Sequence, residues 1–205
     1  MTAGAAAHAH GVGEHHGPPI AHQSSRVSPS VVGMLLFIAS ETMLFGAFFA
    51  ALFFVRVAAQ PEQWPPAGFH LPVFVAGINT AILLTSSFTM HWALQSIKRG
   101  NRAGLKAGLV LTFFMGLTFL LTQVIEYARI GFAWHENAFT TTFFGLTGLH
   151  GAHVFVGLTL LGTATLRSFR GHYTPEHHHG VELPGIYWHF VDVMWIVVYT
   201  TVYLL

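Results

Sequence analysis

Five apolar stretches, each long enough to cross a bilayer, constrain this chain more than anything else in its sequence. A helix crossing a hydrocarbon core of about 30 Å needs about 20 apolar residues. The stretches cover about residues 31–57, 71–97, 105–128, 139–166 and 183–205. Away from the ends of the first, Glu41 is its only charge, and the second contains no Lys, Arg, Asp or Glu. Barrel strands would be near ten residues long with alternating polarity, and these stretches are longer and continuously apolar. The expected fold is therefore all-α: an integral membrane bundle of five transmembrane helices. Composition agrees. Of 205 residues, 53% are hydrophobic and 8% charged, whereas a soluble domain carries about 25% charged residues. Lipid must be the solvent for much of the chain.

The connections hold the helix breakers. Residues 60–72 include Pro61, Pro65, Pro66 and Gly68; residues 98–106 include Gly100, Asn101 and Gly104; residues 170–184 include Gly171, Pro175, a run of histidines and Gly180. Residues 1–30 differ from the rest. They are rich in His, Gly and Ala, lack the charged-then-apolar pattern of a signal peptide, and are expected to form a disordered tail. His8, His10, His15, His16 and His22 lie there. The membrane domain is expected over 31–205, with no extramembrane stretch long enough for a second domain. Arg26, Lys98, Arg99, Arg102, Lys106, Arg167 and Arg170 fall on one side of the bundle, and Arg56 and Arg129 on the other. Seven against two places the N-terminal tail in the cytoplasm and the C-terminus outside. The formal net charge of +1 gives no sign of a nucleic-acid partner, and the absence of cysteine removes disulfides, thiolate metal sites and iron–sulfur clusters.

Polar groups inside the spans are the candidate functional residues, because such groups are costly unless they face protein or water. Glu41 lies near mid-membrane among Phe37, Phe45, Phe48 and Leu52, with no basic residue one turn away. It reads as a proton-relay carboxyl, a group sensed by a neighbouring subunit, or a structural hydrogen-bonding carboxyl. On the fourth span, His150, His153 and Gly157 share one helical face, while Gly145, Gly148 and Ala152 form a small-residue stripe that permits close helix approach. Two histidines three apart could ligate a metal or haem, with a third ligand from His91, His189, Glu126 or Asp192. They could equally make polar contacts between helices or to lipid headgroups. On the fifth span His189 and Asp192 are i and i+3, close enough to interact, either as a structural pair or as a carboxylate backing a metal-bound histidine. Asn79, Thr80, Thr85, Ser86 and Ser87 read as ordinary interhelical hydrogen-bond formers. His177, His178 and His179 read as a solvated loop.

Several of these segments together resemble subunit III of the haem-copper respiratory oxidases. Ile38-Ala39-Ser40-Glu41-Thr42-Met43-Leu44-Phe45 resembles that family's helix with a buried glutamate, and Trp64-Pro65-Pro66 the outer turn after it. Asn79-Thr80 and Met90-His91-Trp92-Ala93 match the next helix. Gln123-Val124-Ile125-Glu126-Tyr127 resembles Gln-x-x-Glu-Tyr. Residues 148–154 resemble Gly-x-His-Gly-x-His-Val, and residues 187–195 resemble Tyr-Trp-His-Phe-Val-Asp-Val-x-Trp. The last two are the most specific, and all six occur in the family's order across about residues 30–205.

The resemblance implies a non-redox accessory subunit of a proton-pumping terminal oxidase, which oxidises cytochrome c and reduces oxygen to water. It implies packing on subunit I beside subunit II, with haem and copper in those partners and none in this chain. It further implies bound phospholipid, support of proton uptake and durable turnover, and an inner-membrane location in a bacterium. Subunit IV or a respiratory supercomplex would be further partners. By the same resemblance Glu41 is the carboxyl associated with proton uptake. His91, Glu126, His150, His153, His189 and Asp192 become lipid-contacting or helix-packing groups, and no catalytic or metal-ligating residue is expected. Longer members of the family have seven helices; this chain matches the five-helix form, leaving a surface for lipid or another subunit to cover. The alternatives are subunit III of a quinol oxidase, which the His-rich tail favours, and, from another class, a self-contained transporter or channel.

Overall fold

A computed structural model describes residues 28–58 and 71–205, so the tail histidines and Trp64-Pro65-Pro66 lie outside the described residues. Among the described residues the structure is all-helical. Five helices are long and apolar enough to cross a membrane: α1 (Pro29–Ala58), α2 (Val73–Lys98), α3 (Arg102–Arg129), α4 (Ala138–Phe169) and α5 (His179–Tyr199). A π-helical turn, Thr200–Leu204, continues α5.

Local chemistry explains the ends. Gly100 and Gly171 follow α2 and α4 at φ 76°, a left-handed conformation that glycine adopts without steric cost. Asn101 caps α3 by accepting from the Gly104 amide at 2.9 Å. Asn137 and Thr140 form a reciprocal capping box at the start of α4. Helix α5 begins at His179, four residues before the sequence-based start, so His179 belongs to the helix rather than to the loop. Pro184 lies inside α5 and has no N–H to give the Gly180 carbonyl. That carbonyl accepts instead from the Tyr173 hydroxyl at 3.3 Å, which ties the α4–α5 turn to the helix it feeds.

Helix α5 is central, packing against α1, α2 and α4, while α3 bridges α2 and α4. Of the five, α1 is the least buried and α5 the most. Glycines set the close approaches. A Cβ on Gly108 would sit 2.7 Å from the Ala93 Cβ, so α2 and α3 meet almost backbone to backbone. Gly116 and Gly157 admit the Trp188 ring, which fills the junction of α3, α4 and α5 and donates to Ser86 Oγ at 2.9 Å. The small-residue stripe read from the sequence does less. Gly145 meets only the Phe48 ring, Gly148 has nothing within 4 Å of where a Cβ would be, and Ala152 is exposed. The glycine of α4 that closes the core is Gly157.

Candidate functional site

Glu41 finds its partner across the bundle. His153 Nε2 lies 2.9 Å from Glu41 Oε2, joining α1 to α4 near the middle of both helices. The other ring nitrogen, Nδ1, is 2.8 Å from the Leu149 carbonyl one turn back. A carbonyl only accepts, so Nδ1 carries a proton. The Nε2–Oε2 bond then needs one further proton, held by the carboxyl or by Nε2. Glu41 and His153 therefore form a proton-sharing pair. Phe45 packs on the imidazole at 4.9 Å between ring centroids, and Phe190 at 6.4 Å. The Tyr187 hydroxyl donates to the His153 carbonyl at 3.2 Å. The site is enclosed but not sealed: the Glu41 side chain keeps 18% exposure and that of His153 10%.

The second polar cluster is a seam between α2 and α5. Ser87 Oγ donates to Asp192 Oδ2 and lies 3.0 Å from His189 Nδ1. The hydroxyl has one proton, so the remaining bond runs from His189 Nδ1–H to Ser87 Oγ. Ser87 thus bridges the histidine and aspartate that the sequence pairs directly. The residue types are those of a hydrolytic triad, but the order is not. In a triad the imidazole takes the serine proton; here the serine gives it to the carboxylate. The arrangement holds two helices together. His91, one turn from Ser87, is exposed, and His189 is half-buried.

His150 is separated from His153. It is fully buried between Phe119, edge-on at 5.8 Å, and Trp195 at 4.8 Å. Neither ring nitrogen has a hydrogen-bond partner among the described residues. The two histidines that share a helical face thus serve different neighbours. Among the described residues no three His, Asp or Glu side chains converge as a metal-binding group. Glu126 is half-buried near the end of α3, beyond Gln123 and beside Tyr127, whose hydroxyl donates to Thr147 Oγ1 at 2.7 Å.

Two features were not read from the sequence: the Glu41–His153 pairing and the bridging role of Ser87. For the first, the sequence shows only that both residues lie near the middle of their spans, which does not mark them as partners. Ser87 gave no signal, because serines are frequent on membrane helices and nothing marks one as facing a carboxylate.

The model of the family described as cytochrome c oxidase subunit III matches residues 20–205. The chain is 41% identical over 198 residues to cytochrome c oxidase subunit 3 of Thermostichus vulcanus, an alignment covering 95% of this chain and 98% of that relative. It is 39% identical over 193 residues to the Loxodonta africana protein of the same name, covering 92% of this chain and 72% of the relative. To that of Gallus gallus it is 43% identical over 176 residues, covering 83% and 67%. The motifs that carry chemistry here, from Glu41 on α1 to Asp192 on α5, all fall inside the family match over residues 20–205, and the chain belongs to the cytochrome c oxidase subunit III family.

Proposed function

We propose that this chain is the accessory, non-redox subunit of a cytochrome c-oxidising terminal oxidase, and that the Glu41–His153 pair supports proton uptake by that complex. Family membership supports the oxidase role, and the names of its relatives support cytochrome c over quinol as the electron donor. The observation that carries the finer reading is the proton-sharing bond itself. A carboxyl and an imidazole at mid-membrane, with one proton between them and a partly open side, can take up and release that proton without moving a helix. Helix packing alone needs no exchangeable proton there.

In this reading the chain packs on subunit I beside subunit II, which hold the haem and copper. Phospholipid covers its remaining apolar surface, and the complex lies in a bacterial plasma membrane. The excess of Lys and Arg at the α2–α3 and α4–α5 ends supports a cytoplasmic position for those turns. His91, Glu126, His150, His189 and Asp192 pack helices or meet lipid.

The test is Glu41→Gln in the assembled oxidase. A glutamine amide still donates to His153 Nε2 but cannot give up a proton. Unchanged haem content with slower proton uptake, or with fewer turnovers before inactivation, is the expected result. Uptake and turnover lifetime equal to the parent's would rule out the proton role.

A further inference from the structure

The polar seam of α2 and α5 has a direction. His91 stands exposed on α2, one turn from Ser87 on the same face, and close enough to the half-buried His189 for their charges to interact. Ser87 Oγ lies 3.0 Å from His189 Nδ1 and donates to Asp192 Oδ2. Asp192 is 2% exposed. The two helices run antiparallel, with Trp188 at Ser86 and Trp195 at Thr80, so the Lys98 end of α2 and the His179 end of α5 lie on the same side. His91 is about 10 Å inside the first end and Asp192 about 20 Å inside the second, at the helical rise. The polar groups thus lead from one side of the bundle toward mid-membrane and stop at a carboxyl.

At that stop Asp192 Oδ1 is buried with no hydrogen-bond partner among the described residues. A buried carboxylate with one oxygen unpartnered is costly, the more so in lipid. A link between α2 and α5 alone needs only an amide or a hydroxyl at this position. What a carboxyl adds is a place for a proton. The other titratable groups on the helices packed against α5, and on α5 itself, are engaged elsewhere. Glu41 and His153 bond to each other, His179 bonds to Glu182, and His150 lies between Phe119 and Trp195.

We propose that His189, Ser87 and Asp192 form a proton-exchange site, filled and emptied from the His91 side, in which the Ser87 hydroxyl relays a proton between imidazole and carboxyl. The step balances with no other reactant. A proton adds to the lone pair of His189 Nε2, the Nδ1 proton passes to Ser87 Oγ, and the Ser87 proton passes to Asp192 Oδ2. One proton has entered, the imidazole is neutral with its proton now on Nε2, the hydroxyl is restored, and the buried charge is gone. Emptying is the same step reversed. The site has its own histidine and its own carboxyl, so it goes beyond the Glu41–His153 reading and does not rest on it.

Infrared spectroscopy of the assembled complex in lipid, prepared with isotope-labelled aspartate, tests the site and reads neither oxidase turnover nor proton uptake. The carbonyl stretch of protonated Asp192, assigned by its loss in Asp192→Asn, is followed after transfer into deuterium oxide. In Ser87→Ala the band is expected to persist and its exchange to slow by about a hundredfold or more, the usual worth of a positioned proton-transfer group. Ser87→Thr keeps a hydroxyl and is expected to restore the parent rate. His189→Gln still offers an N–H to Ser87 but cannot take up and pass on a proton, so it is expected to slow exchange as well. It decides the matter alone if Ser87→Ala fails to assemble. Absence of any aspartate carbonyl band that Asp192→Asn removes, from acid to neutral pH, would overturn the proposal. So would exchange at the parent rate in Ser87→Ala or His189→Gln, which would leave the seam a link between helices.

Discussion

Trp188 shows how single residues decide this bundle. Its ring lies between Gly116 and Gly157 and its indole N–H has one partner, Ser86. A Cβ on Gly116 would overlap the ring, and one on Gly157 would sit 2.8 Å from it. Gly116→Ala and Gly157→Ala are each expected to destabilise the fold by about 1–3 kcal/mol, the usual cost of forcing atoms into a filled core. Gly148→Ala, with open space around it, is expected to change stability by less than about 0.5 kcal/mol. Unfolding of the purified chain in mixed micelles with rising SDS would separate the three. Glu41 is the residue whose stability and functional effects come apart. Glu41→Ala removes an interhelical hydrogen bond, worth about 1–2 kcal/mol in a membrane, and leaves His153 Nε2 unpartnered. Glu41→Gln is expected to restore most of that stability in the same titration without restoring proton uptake.

The α4–α5 turn makes the argument at the level of elements. Pro184 leaves the Gly180 carbonyl without its helical donor, and Tyr173 supplies the missing hydrogen bond. The Arg167 guanidinium lies 5.9 Å from the Tyr173 ring centroid, and burial pushes the phenol above its ordinary pKa. The hydroxyl therefore stays a donor through the physiological range. Tyr173→Phe is expected to cost about 1 kcal/mol. In a Pro184→Ala background the cost should shrink, because the restored amide takes the carbonyl; a double-mutant cycle by SDS unfolding measures the difference. This coupling was not legible in the sequence, where Pro184 falls at the start of the fifth span and nothing marks Tyr173 as the donor that replaces its N–H. The spans themselves were legible, because twenty apolar residues in a row carry their meaning without a partner. Which helix faces which was not, because in lipid the outer surface is as apolar as the core and gives no amphipathic stripe to read. Glu41, flanked by phenylalanines on its own helix, gave no sign that its partner stands on α4.

At the scale of the whole molecule, helix count and family were readable and orientation remains the part to measure. The chain has no cysteine, so single introduced cysteines report cleanly. Asn101 and Glu136 are exposed at opposite ends of α3 and its following loop. A membrane-impermeant maleimide added to spheroplasts should label Glu136→Cys and leave Asn101→Cys untouched; the reverse pattern would invert the topology. The larger claim is that the polar groups of this bundle serve a redox centre held by other subunits. It rests on a family match along nearly the whole chain and on a geometry in which serine, histidine and carboxylate bind helices and share protons. The most direct test is to isolate the chain from its native membrane by an affinity tag, record the visible spectrum, then strip the chain away and record both fractions. The expected result is a haem spectrum in the co-isolated complex that stays wholly with the partner subunits. Haem absorbance travelling with the separated chain, or a chain that comes out of the membrane with no haem-bearing partner, would contradict the account.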